Sequence, residues 1–76
     1  PFNPVTRIDY GVARACAVRL AVYDLLGREV KVLVGEFKRE GKYFAVFDAS
    51  GFSTGVYFYR FEAEGFTEVR KMILMR

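Results

Sequence analysis

The sequence predicts an all-β fold in which two antiparallel sheets pack as a small sandwich, and three observations lead there. Short runs of alternating apolar and polar residues recur along the chain, the period-two signature of strands with one buried face. Glycine-containing turn signals separate these runs, and no stretch keeps a helical period for more than a turn. Aromatic residues are dense, with eight Phe and five Tyr among 76 residues, and such side chains suit a pleated, half-buried surface.

The opening Pro1-Phe2-Asn3-Pro4 reads as an extended lead-in, because its two prolines lack N–H donors and hold φ fixed. Thr6, Ile8 and Tyr10 alternate with Arg7 and Asp9 in a short first strand, and Gly11 to Ala15 leads onward. Val18, Leu20 and Val22 then alternate with Arg19, Ala21 and Tyr23. That strand stops at Asp24, whose carboxylate is placed to accept from a backbone N–H two residues on, while Gly27 supplies the positive φ of a four-residue turn closing in a bulge. Alternation resumes with Val30, Val32 and Val34, so the two arms form a hairpin. Gly35 to Gly41 is charged and bounded by glycines, and is expected to hold at most a short edge strand.

Lys42 to Asp48 is the next strand, apolar on both faces, so it is covered on both sides or carries one partly wet aromatic face. Asp48 to Gly55 is a turn-rich exposed loop. Gly55 to Ala63 returns with Tyr57, Tyr59 and Phe61 as its interior face, since the opposite face ends in Arg60 and Glu62. Glu64-Gly65 makes a tight turn, and Thr67 to Met75 pairs back as a hairpin. Either face of that last strand, Met72 with Leu74 or Val69 with Lys71 and Ile73, qualifies as the inner one. Six or seven strands in this order favour an immunoglobulin-like β-sandwich, with a small closed barrel as the alternative.

Size and composition bound the function. A single domain this short hides only about 60% of the surface its unfolded chain exposes. One cysteine forms no internal bridge, and with no histidine the usual zinc frameworks are missing, so aromatic packing must stabilise the fold. Cys16 sits between alanines, with no activating neighbour in sequence, and reads as a small apolar filler. The formal charge of +3 comes from twelve basic and nine acidic residues that interleave, as in Lys38-Arg39-Glu40, rather than gathering on one face as a nucleic acid partner requires. No apolar run is long enough to span a membrane, and nothing at the start resembles a signal peptide, so an export signal is expected elsewhere on a longer parent chain.

No catalytic constellation is present. There is no histidine base, no G-x-S-x-G serine and no glycine-rich loop opening a helix. Glu62 and Glu64 flank a tight turn and solvate it rather than face each other across a cleft. Asp9, Asp24 and Asp48 are the candidates for a calcium site, but their spacing matches no calcium loop. No cofactor is expected. Phe52, Phe58 and Phe66 are the aromatics expected to be exposed, which keeps open a carbohydrate-binding module of a secreted glycoside hydrolase. A structural spacer that self-associates through an exposed edge strand is the third class.

Four blocks, taken together, resemble one family. Pro1-Phe2-Asn3-Pro4 with Thr6-Arg7-Ile8-Asp9-Tyr10 is similar to the PNPFNP-x-T-x-I-x-Y opening of the C-terminal sorting domains carried by cargo of the type IX secretion system, less its first residues. Leu20 to Val30 resembles that family's L-x-V-Y-D-x-x-G-R-x-V centre, Gly55-Val56-Tyr57-Phe58-Tyr59-Arg60 its G-V-Y-F-Y-R block, and Arg70 to Arg76 its closing R-K-M-x-L-x-R. The blocks lie in the family's order and cover nearly the whole chain. Phe47-Asp48 stands where the family usually has Trp-Asp, which keeps an aromatic plug. A weaker likeness, through the same hairpin, is to the flagellar hook-capping domain.

The resemblance implies that residues 1–76 form a single non-catalytic sorting and cell-attachment domain of a larger secreted protein from Bacteroidota or relatives. Its implied partners are outer-membrane secretion and sortase-like machinery and a covalently linked upstream cargo domain, with neither nucleic acid nor a membrane span. Its implied destination is the medium or the outer cell surface, by way of the periplasm. The candidate recognition residues are Gly27 and Arg28 at the hairpin turn and Lys71, Met72, Leu74 and Arg76 near the carboxyl end, which put cations beside backbone groups. The candidate structural residues are Tyr23, Asp24, Gly27, Phe47, Asp48, Gly55 and Tyr57.

Overall fold

A computed structural model of the chain describes residues 5–75. The lead-in at Pro1 to Pro4 and the recognition candidate Arg76 lie outside them. Six strands run in the order β1 (Val5–Val12), β2 (Cys16–Asp24), β3 (Glu29–Lys38), β4 (Gly41–Asp48), β5 (Gly55–Ala63) and β6 (Phe66–Leu74). They form two antiparallel sheets, one of two strands in the order β1-β4 and one of four in the order β3-β2-β5-β6. This is the small antiparallel sandwich the sequence predicts.

The inner faces meet in two apolar clusters. Ile8, Val12, Cys16, Val18, Leu20, Ala45 and Phe61 form the first. Val22, Phe47, Ala49, Tyr57 and Leu74 form the second. Leu33 and Tyr59 pack against both and join them. Tyr57 and Phe61 are buried and Tyr59 half-buried, so the Tyr-Tyr-Phe face of β5 is the interior one. Pairing of β6 with β5 sets Leu74 opposite Gly55 and Met72 opposite Tyr57. Opposed residues share a sheet face, and the inner face of β6 is therefore the Met72 and Leu74 side. Cys16 is a buried member of the core.

Three local expectations are corrected. Strand β1 continues through Gly11 and Val12, because Val12 is buried and still pairs with Gly41. The charged stretch after Val34 holds no separate edge strand. β3 runs on to Lys38, with Glu36, Phe37 and Lys38 paired to Val18, Ala17 and Cys16. The regular alternation expected at Val30, Val32 and Val34 is broken by register shifts along the β2–β3 pair. A bulge brings consecutive residues to one side, so Leu33 and Val34 both pack on the core while Val32, opposite Ala21, is exposed.

Candidate functional site

The β2–β3 turn shows how the sequence shapes its own recognition candidate. Gly27 N–H donates to the Asp24 carbonyl at 3.0 Å, and Asp24 N–H donates to the Arg28 carbonyl at 2.9 Å. Gly27 has φ of 83°, a left-handed conformation that a side chain disfavours. The Asp24 carboxylate adds three contacts: it accepts from Leu26 N–H at 3.0 Å, from Arg28 N–H at 2.9 Å and from Arg28 Nε at 2.9 Å. The backbone N–H of Arg28, helped by its guanidinium and by Leu26 N–H, holds the Asp24 carboxyl below its ordinary pKa. Arg28 is thus both ion-paired and largely exposed. Sequence reasoning missed what the turn displays at its tip: Leu25 and Leu26 are 68% and 77% exposed.

Sheet order carries this turn and the end of β6 to the same pole of the sandwich. Asp24 closes β2 and pairs with Tyr57 near the start of β5, whose Gly55 pairs with Leu74 at the end of β6. The candidate residues at that pole divide by burial. Leu74 is buried and Met72 half-buried, both against the second core cluster, whereas Lys71 is exposed on the outer face opposite Phe58. Arg28 and Lys71 are therefore the described candidates whose cations reach solvent. The apolar ones pack inward.

The structural candidates occupy defined places. Phe47 is 2% exposed, and Phe52 leans on it with ring centroids 5.5 Å apart. Asp48 accepts from Ser50 N–H at 3.0 Å, and that bond lowers its pKa. Tyr57 donates its hydroxyl to the Ser53 carbonyl at 2.8 Å, which pins the loop before β5. Tyr23 lies on the outer face of the larger sheet, where its hydroxyl accepts from Arg19 and Arg60, each at 3.0 Å. Arg19 also pairs with Glu29, and Arg60 lies 3.6 Å from Glu62. These side chains surround Ala21, which is fully buried on that face. The spacing of Arg19 and Tyr23 on one strand face was legible in sequence; the arrival of Arg60 required the β2–β5 pairing.

The calcium candidates are engaged by protein groups: Asp9 by Arg7, Asp24 by its own turn and Asp48 by Ser50. The aromatic candidates form no platform. Phe52 and Phe58 are half-buried, Phe52 because it fills the space between Phe47 and Tyr57. Among the described residues, the phenylalanines most open to solvent are Phe37, Phe44 and Phe66. They occupy the outer face of the larger sheet, the outer face of the smaller sheet, and a site beside buried Phe61. No helix among the described residues is long and apolar enough to cross a membrane.

Comparison with known families decides what this framework is. The family model described as the secretion system C-terminal sorting domain matches residues 1–75. The chain belongs to this family. It is a type IX secretion sorting domain, so its role is an address rather than a reaction, and membership implies contact with the type IX machinery and export across the outer membrane, to the cell surface or the medium. Neither the search of curated proteins nor that of solved structures returns a match.

Proposed function

We propose that this sorting domain is the single C-terminal module of a larger secreted protein, and that it directs an upstream cargo enzyme across the outer membrane and to attachment at the cell surface through a sortase-like step. The family match over residues 1–75 carries the sorting part of this reading. The recognition feature we assign is the pole where the β2–β3 turn and the end of β6 converge. Gly27 shapes it and Arg28 and Lys71 supply its exposed cations; Arg76, outside the described residues, joins them as a candidate from the sequence alone. Met72 and Leu74 serve it from below, by holding the end of β6 on the core.

The experiment fuses a folded periplasmic reporter upstream of the chain in a bacterium with a working type IX system. The wild-type tail is expected to bring the reporter to the surface. The double variant Arg28→Ala, Lys71→Glu retains every buried residue; it is expected to fold normally yet lose delivery at least tenfold. Normal delivery by that folded variant would end the assignment of the pole. Failure of the wild-type tail itself would end the sorting reading. Deleting residues 71–76 is the poorer test, because it also removes Leu74 from the core.

A further inference from the structure

Among the described residues, sheet topology leaves two unpaired edges on the same side of the sandwich. β1 pairs only with β4, and β6 only with β5. A cleft of about 440 Å³ lies between these edges, with Arg7 and Asp9 on its β1 wall and Glu68 and Arg70 on its β6 wall. Each edge carries a charge triplet of the same kind. In β1, Arg7-Ile8-Asp9 closes an ion pair of 3.0 Å along the strand; in β6, Glu68-Val69-Arg70 closes one of 2.7 Å.

We propose that these edges are the docking surface for a second copy of this chain, joined around a twofold axis that passes by Ile8 and Val69. Antiparallel pairing of β6 with its twin about Val69 sets Glu68 of each copy opposite Arg70 of the other. Pairing of β1 about Ile8 sets Arg7 of each opposite Asp9 of the other. Opposed charges in such pairs attract, and like charges directly opposite repel. A slip that centres the axis on Glu68, Arg70, Arg7 or Asp9 faces that residue with its own copy, so both triplets select one register. Because both line one cleft, a single axis serves both edges, and the two sheets extend together. Charged edge residues commonly keep strands apart. Here each triplet is neutral in sum, so it rejects the wrong registers and admits the matching one. The proposal stands independently of the sorting reading.

Sedimentation equilibrium of the 76-residue chain tests it. The apparent mass is expected to rise with concentration from 8.7 kDa to roughly twice that, and to fall back at high salt as the cross-strand pairs are screened. Glu68→Arg and Arg70→Glu are each expected to be monomeric, since each faces like charges across the axis, whereas mixing the two restores the doubled mass. Val69→Cys is expected to cross-link to its twin under mild oxidation, which checks the axis should either charge variant fold poorly. A wild-type chain that stays monomeric up to a concentration on the order of 1 mM overturns the proposal. So does a dimer indifferent to Glu68→Arg, a mixture that stays monomeric, or a dimer in which Val69→Cys forms no cross-link.

Discussion

Replacing Phe47 with alanine should come close to unfolding the domain, while the same change at Phe37 should pass almost unnoticed. Phe47 is 2% exposed in the second core cluster, and Phe37 is 65% exposed on the outer face. Truncating a buried phenylalanine removes its transfer free energy and leaves a cavity, together about 3–5 kcal/mol. A chain of 76 residues is expected to hold about 4–11 kcal/mol in total. Truncating an exposed side chain usually changes stability by about 0.5 kcal/mol or less. Urea unfolding followed by circular dichroism reads the difference. With a slope of about 1 kcal/mol/M, Phe47→Ala should lower the midpoint by about 3 M or leave no folded baseline, and Phe37→Ala should move it by about 0.5 M or less. Equal shifts in the two variants would refute the division into a packed interior and a wet outer face.

Further outcomes follow from other residues. Phe47→Trp inserts extra volume into a filled site and should destabilise by about 1–3 kcal/mol; an unchanged melting temperature would show slack around the ring. Gly27→Ala meets no atom within 4 Å but must hold φ of 83°, so it should cost about 1–2 kcal/mol from backbone strain alone, read as a lower urea midpoint with an unchanged slope. Asp24 and Asp48 have folded pKa values below the ordinary 3.8. A depressed carboxyl pKa contributes stability that is present above the unfolded value and lost as pH falls through the folded one. Melting temperature should therefore be level from pH 7 down to about 5 and drop below about 4, and Asp24→Asn should flatten that drop; an equally steep acid loss in the variant would remove Asp24 as its source.

Local order was legible wherever a few neighbouring residues decide it. The Asp24 turn is one case, since the bond from Leu26 N–H and the positive φ of Gly27 depend on groups within four residues. The inner face of β5 is another, because Arg60 and Glu62 at one end of the opposite face leave only one side suitable for burial. The candidate site was legible in part: its two segments stood out as motifs, but their convergence at one pole and the division between exposed Lys71 and buried Leu74 did not.

From sequence alone, the chain determined its strand count to within one, its hairpin and, through four ordered blocks, its family. Tertiary structure alone decided which strands are neighbours, and with that the four-to-two division of the sheets, the length of β3, the bulge that exposes Val32, and the meeting of Arg19 and Arg60 on Tyr23. The reason is one of range. Periodicity and turn chemistry act over a few bonds and are written in consecutive residues, whereas pairing and burial join positions tens of residues apart, where each face acquires its meaning only from what is laid against it.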